Sequence, residues 1–153
     1  MVVGGEKCGT TNLCSRITLI HQANSIIFDM ESKLFFPKES YDLVGCAYKV
    51  FNKLKFGYHE KYYQRAYAIE LHALGYKCIR ELPVRITYQG KIIGRYVLDF
   101  LINNLIVVEF KVGNDFQTKQ IKQILSYLKA TNRKLGLLIL FSPEGIKCKR
   151  IVN

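Results

Sequence analysis

Hydrophobic residues recur at three- and four-residue intervals in two stretches of the chain, which begin near residues 42 and 58. In the first stretch the apolar positions are Leu43, Ala47, Val50, Phe51 and Leu54, and in the second they are Tyr63, Ala66, Tyr67, Leu71 and Leu74. This spacing brings apolar side chains to one face of a helix. The sequence therefore predicts two amphipathic helices, the second closed by Gly75 in the left-handed conformation that often follows a helix.

The pattern changes to a β-rich one after the second helix. The predicted elements are strands at 77–88, 91–102 and 105–112, a helix at 116–131, and strands at 135–141 and 146–152. Gln-Gly and Asn-Asn turns separate the first three strands, which form two consecutive hairpins, and Pro83 fits an edge strand because it cannot donate a ladder hydrogen bond. The order predicts an α/β fold in which helices flank a central mixed β-sheet.

The N-terminal part of the chain carries no clear periodicity. We predict an N-terminal extension over residues 1–37 and one domain over residues 38–153. That the extension is poorly ordered is a hypothesis. A chain of 153 residues with 49% hydrophobic residues is long enough for one well-filled core and short for two.

The charge balance is strongly basic. The formal net charge is +11, from 23 Lys and Arg against 12 Asp and Glu. Such a balance favours a polyanionic partner such as nucleic acid, although a solvated basic surface that keeps the protein in solution is an equally good interpretation of composition alone.

Cysteine usage and hydropathy bear on location. The five cysteines show no spacing typical of a zinc site, and their odd number favours a reducing compartment. There is no apolar run near the roughly 20 residues that span a bilayer, and no secretion signal at the N-terminus. We therefore expect a cytoplasmic protein without membrane association, and we leave a homo-oligomer open.

Three charged residues interrupt two strands that are otherwise apolar. Asp99 lies in the strand at 91–102, and Glu109 and Lys111 lie in the strand at 105–112. An unpaired buried carboxylate costs several kcal/mol, so a strand of this kind keeps one when it is paired, bound to a metal or directed into a cleft. A structural ion pair of Asp99 or Glu109 with Lys111 or Arg95 is the competing interpretation.

The turn length decides whether these charges meet. A hairpin centred on Asn104 with an odd loop pairs Ile102 with Ile106 and Asp99 directly with Glu109. Facing side chains of such a pair lie about 4.5 to 5.5 Å apart at Cβ, and Lys111 emerges on the same face. Two carboxylates and a main-chain carbonyl are hard oxygen ligands that suit Mg²⁺ or Mn²⁺, which indicates phosphodiester hydrolysis.

Neighbouring helices supply further polar candidates. Gln123 and Tyr127 stand four residues apart on the helix at 116–131, so they share a face and can both point to the carboxylates. Glu60, in the first turn of the second helix, is a candidate third acid. An ordinary helix surface for the first two residues, and a favourable interaction of the acid with the helix dipole, are the plainer interpretations.

The chain resembles the GxxExxY proteins of the PD-(D/E)XK nuclease superfamily. The resemblance covers roughly residues 42–153 and rests on four motifs in the family's order. They are Gly57-Tyr58-His59-Glu60-Lys61-Tyr62-Tyr63, Asp99, Glu109-Phe110-Lys111 and Gln123-Ile124-Leu125-Ser126-Tyr127. One departure is that Val97 and Leu98 stand where the family often has an arginine and a small residue, which puts a phosphate contact in doubt and leaves the metal core intact.

The resemblance implies a restriction-endonuclease-like fold with a metal-dependent nuclease site. It implies metal ligation by Asp99, Glu109 and the backbone carbonyl of Phe110, a catalytic role for Lys111, and a helix acid at Glu60. Gln123 and Tyr127 would then hold the lysine, a water or the substrate phosphate, with Mg²⁺ or Mn²⁺ as cofactor.

Basic residues interleaved with aromatic ones lie on the helices expected to flank this cleft. The candidates for nucleic-acid binding are Lys55, Lys61, Arg65, Lys119, Lys122 and Lys129. Cations of this kind can follow a phosphate backbone, and tyrosines can stack on exposed bases. We expect a nuclease that acts on nucleic acid, most simply DNA; the alternative is an inactive nucleic-acid-binding or protein-interaction domain that keeps the fold.

Overall fold

The computed structural model describes residues 35–153, so the predicted extension lies outside the described residues except for its last three positions. The elements are α1 (Pro37–Leu54), α2 (Glu60–Ala73), β1 (Cys78–Tyr88), β2 (Lys91–Ile102), β3 (Ile106–Val112), α3 (Thr118–Thr131), β4 (Leu135–Ser142) and β5 (Gly145–Val152). The predicted order of helices and strands is confirmed. The predicted start of α1 near residue 42 was wrong, because Pro37, whose fixed φ suits the first turn, begins the helix earlier.

The five strands form one mixed sheet in the order β1-β2-β3-β4-β5. The β3–β4 pair is parallel and the other three pairs are antiparallel. Strand β1 is an edge strand, as Pro83 predicts, and every residue of β4 is buried, as its continuous apolar run predicts. Gly75 adopts a φ of 79° just after α2, which confirms its predicted left-handed conformation.

Hydrophobic cores lie on both faces of the sheet. On one face, α1 and α2 pack on the sheet and Tyr67 of α2 contacts the rings of Phe100 and Phe110; we call this the helix-pair core. On the other face, α3 covers residues that include Leu101, Val107 and Leu138, and we call this the α3 core. The contact of α3 with the sheet is close, because a Cβ on Gly136 would lie 3.2 Å from Ile124 Cγ2.

The β1–β2 hairpin changes face halfway along its length. Phe100 belongs to the helix-pair core, whereas Leu98, two residues earlier, belongs to the α3 core together with Leu82 of β1. Regular alternation would place residues 98 and 100 on one face. The change occurs at Asp99 and at Glu81, which has a φ of 50° and is not paired with Asp99 in the ladder. The outer half of the hairpin therefore packs towards α3.

The cytoplasmic location and the lack of membrane association remain predictions. No helix within residues 35–153 is long and apolar enough to cross a membrane. Cys46, Cys78 and Cys148 have free thiols.

Candidate active site

The turn between β2 and β3 has the odd length on which the site depends. Asn103, Asn104 and Leu105 separate the two strands, and both asparagines have positive φ. The ladder pairs Ile102 with Ile106, as predicted, and it continues for two further pairs. It then ends, so the predicted direct pairing of Asp99 with Glu109 was wrong.

The Asp99 carboxylate occupies the place where the ladder stops. Its Oδ2 accepts a hydrogen bond of 2.7 Å from the backbone N–H of Phe110. In a continuing ladder Phe110 would lie opposite Leu98, so a side-chain oxygen here replaces a main-chain partner. The N–H and C=O of one strand residue point to the same edge, so the Phe110 carbonyl is also directed to this gap, where we predicted a metal ligand.

Glu109 is the most buried acid of the site, with 3% of its side chain exposed. Its Oε1 accepts hydrogen bonds from Lys111 Nζ at 2.7 Å and from Gln123 Nε2 at 3.2 Å. Its Oε2 is buried and has no hydrogen-bond partner. The ion pair that competed with a catalytic interpretation therefore forms, but it engages one carboxylate oxygen and leaves the other available.

The acids of the site repel one another in a poorly solvated environment. Burial, followed by the charge of Asp99, raises the pKa of Glu109 to about 7. Burial also raises the pKa of Asp99, against the lowering effect of the Phe110 N–H and of Lys111. Burial lowers the pKa of Lys111, but its attraction to Glu109 outweighs this and leaves the pKa raised, so the lysine is held as a cation.

Helix α3 brings the predicted Gln123 and Tyr127 to Glu109. The Gln123 side chain donates to Glu109 and also to the hydroxyl of Tyr127. The Tyr127 ring contacts that of Tyr96 on β2 edge-on, with ring centres 4.9 Å apart. A capping box between Gln117 and Gln120 fixes the first turn of this helix. The structure thus brings both predicted helix residues into contact with each other and places one of them on the acid.

Helix α2 reaches the gap from the opposite face of the sheet. Burial raises the pKa of Glu60, and the charges of Lys111 and Asp99 act on it, so this acid lies within electrostatic range of the site. Gln64, one turn later, donates from Nε2 to Glu60 Oε1 at 3.4 Å, and a hydrogen bond from its side chain lowers the pKa of Asp99. Our sequence reasoning missed Gln64. The available signal was its position four residues after Glu60 on the same helical face.

The donor set fits a hard divalent cation. Among residues 35–153 no three His, Cys, Asp or Glu side chains are close enough to form a ready-made metal cluster. The site offers instead two carboxylates and a main-chain carbonyl, and ions such as Mg²⁺ commonly keep several waters in addition to one or two carboxylates. The partnerless Oε2 of Glu109, within electrostatic range of Asp99, is the atom that such a cation would satisfy.

The six cations predicted to bind nucleic acid are all exposed. They are Lys55, Lys61, Arg65, Lys119, Lys122 and Lys129. Lys61 and Arg65 lie over the ring of Tyr62, at 5.2 and 5.9 Å from its centre, and Tyr62 is two residues from Glu60 on α2. Their role in binding stays a prediction.

Two solved structures are similar to this chain at low identity. One is the crystal structure of SSO0001, 14% identical over 75% of this chain and 77% of that one, with a TM-score of 0.46. The other is an alkaline exonuclease, LHK-Exo, from Laribacter hongkongensis, 15% identical over 80% and 72% of the two chains, with a TM-score of 0.48.

The family of this chain follows from its sequence. No curated protein sequence matches this chain. The sequence model of the PD-(D/E)XK nuclease superfamily, in contrast, matches residues 37–151, which include all five strands except the last residue of β5 and every residue of the candidate site. The chain belongs to the PD-(D/E)XK nuclease superfamily.

Proposed function

We propose that this protein is a Mg²⁺- or Mn²⁺-dependent nuclease that hydrolyses phosphodiester bonds of nucleic acid, with DNA as its substrate. The observation that carries the proposal is the buried, partnerless Oε2 of Glu109, an acid whose pKa the charge of Asp99 raises. Leaving such an atom without a partner is costly in a closed protein core and useful in a metal site.

The side chains have separate roles in this proposal. Asp99, Glu109 and the Phe110 carbonyl would hold the cation, with Glu60 as a further acid. A bound divalent cation supplies Lewis-acid chemistry, which polarises the scissile phosphate and acidifies water. Lys111, kept as a cation by Glu109, offsets negative charge that develops on the phosphate and orients the attacking water.

Other residues of the site act through these groups. Gln123 fixes the orientation of Glu109, and Tyr127 fixes Gln123. The predicted cations on α2 and α3 would attract the nucleic-acid backbone, so binding should weaken as salt concentration rises.

We further assign the chain to the GxxExxY branch of the superfamily. Gly57, Glu60 and Tyr63 supply that motif. Tyr63 is fully buried, its hydroxyl donates to the Lys55 carbonyl at 2.7 Å, and it accepts from the Tyr58 N–H. The motif tyrosine thus holds the loop before α2, and a φ of 124° at Gly57 favours glycine in that loop.

We also propose that the protein is cytoplasmic.

A second function is favoured by the ion pair between Lys111 and Glu109. In a nucleic-acid-binding or protein-interaction domain without turnover, that pair would serve only to neutralise a buried acid.

A cleavage panel distinguishes the two functions. Linear, circular, branched and single-stranded DNA, together with RNA, are incubated with Mg²⁺, Mn²⁺ or EDTA, beside the Lys111→Ala and Asp99→Ala variants. The proposal expects metal-dependent cleavage by the wild type and its loss in folded variants. Binding without cleavage of any substrate would establish the second function instead.

A further inference from the structure

A cleft between the β1–β2 hairpin and α3 continues from the candidate active site. It has a volume of about 470 Å³, and its lining includes Arg85, Tyr96, Ser126 and Lys129. Tyr96 connects it to the site, because its ring contacts that of Tyr127. The cleft exists because the hairpin changes face near Asp99 and turns its outer half towards α3.

Positive charge is concentrated at this cleft. Two cations, Arg85 and Lys129, line it. Within residues 35–153 neither of these two cations forms an ion pair with an acid. Cations that line a cleft without an acidic partner favour a bound anion.

We infer that this cleft binds the phosphodiester backbone of the substrate strand beside the bond that is cut. The inference rests on the proposed function, since it takes nucleic acid as the ligand. An arginine side chain can contact two phosphate oxygens at once, and lysine adds a point charge. The substrate strand would pass from Glu109 and Lys111, alongside the Tyr127 and Tyr96 rings, to Arg85 and Lys129.

Binding is measured without cleavage by fluorescence anisotropy in EDTA, with labelled single-stranded and double-stranded DNA and with RNA. The Arg85→Gln/Lys129→Gln variant should bind the preferred ligand at least about 10-fold more weakly, and the slope of log affinity against log salt should fall by about 2, as for two lost phosphate contacts. The matched control, Lys38→Gln/Lys77→Gln, removes the same charge from α1 and from the residue before β1. It should change affinity less than about 2-fold.

Each outcome bears on the inference separately from the nuclease proposal. Equal weakening in both double variants would show that net charge alone matters and would overturn the inference, as would unchanged affinity in the Arg85/Lys129 variant or no binding by the wild type. Circular dichroism confirms that each variant is folded. If the wild type cuts nothing but the cleft variant binds more weakly than its control, the nuclease proposal fails and the backbone-binding cleft stands.

Discussion

Lys111 Nζ lies 2.7 Å from Glu109 Oε1, and both side chains leave β3 on the face that α3 covers. Two residues apart on one strand share a face, so the ion pair follows directly from the Glu-x-Lys spacing. The pair holds the lysine charged and leaves Glu109 with one engaged oxygen and one without a partner.

A double-mutant cycle on this pair should show strong coupling in the metal-free protein. Lys111→Met leaves a buried carboxylate without its cation, which should lower the free energy of unfolding by about 3 kcal/mol at pH 8. Glu109→Gln/Lys111→Met should be more stable than Lys111→Met alone, because the uncompensated charge is gone. Urea denaturation in EDTA measures all four proteins, and additive effects of the two substitutions would contradict the coupling.

Stability of the metal-free protein should fall as pH rises from about 4.5 to about 7. The pKa of Glu109 is raised to about 7 in the folded protein from an ordinary value of 4.5. Between these values the folded state binds more protons than the unfolded state, so the contribution of this group to the free energy of unfolding decreases with pH. The raised pKa values of Asp99 and Glu60 act in the same direction.

The pKa of Lys111 is also raised, but its effect on stability changes with pH only above pH 10.5, the ordinary pKa of a lysine, which is outside this window. Unfolding of the wild type and of Glu109→Gln in EDTA, at pH 5 and pH 7.5, checks the expectation. The wild type should lose more stability than the variant between the two pH values, by at most about 3 kcal/mol for the full shift. Equal losses of stability in the two proteins would show that Glu109 titrates normally.

Gln64→Leu should weaken metal binding without unfolding the protein. The Gln64 side chain donates to Glu60 and acts to lower the pKa of Asp99, and loss of a residue that orients metal ligands typically costs 10- to 100-fold in metal affinity or activity. We expect an approximately 10-fold rise in the Mg²⁺ concentration that gives half-maximal cleavage, with a matching change in calorimetric Mg²⁺ binding. Gln120→Leu, at a buried glutamine that caps α3, should reduce stability and leave this concentration unchanged.

The local parts of the site could be predicted from the sequence. Strand alternation places Glu109 and Lys111 on one face, helical spacing places Gln123 and Tyr127 together, and the odd turn sets the β2–β3 register. These relationships depend on neighbours in sequence or on a single tight turn, so periodicity is enough to find them.

The long-range parts could not be predicted in this way. Asp99 leaves the ladder because its carboxylate bonds the Phe110 N–H, and Glu81 adopts a positive φ in the paired strand. Gln64 reaches Asp99 only because α2 packs over the gap that this creates. Each relationship depends on how separate elements pack together, which a pattern along one strand or helix does not encode.

Tyr127→Phe should reduce cleavage more than it reduces stability. The substitution keeps the ring that packs against Tyr96 but removes the hydroxyl that accepts from Gln123, which in turn orients Glu109. We expect a fall of about 10-fold in kcat/KM, which is about 1.4 kcal/mol of transition-state stabilisation, and a change in unfolding free energy below about 1 kcal/mol.

The matched control is Tyr67→Phe, at a tyrosine buried in the helix-pair core. Its hydroxyl donates to the Leu43 carbonyl at 3.1 Å, and the substitution keeps the ring that packs on Phe110. Removing the hydroxyl leaves a buried carbonyl without that donor, which should cost about 1 to 2 kcal/mol of stability. Cleavage by the folded fraction should be unchanged, since Gln123 and Glu109 keep their contacts. Equal loss of kcat/KM in both variants would mean that general loosening of the fold, and not the orientation of Gln123, limits the reaction.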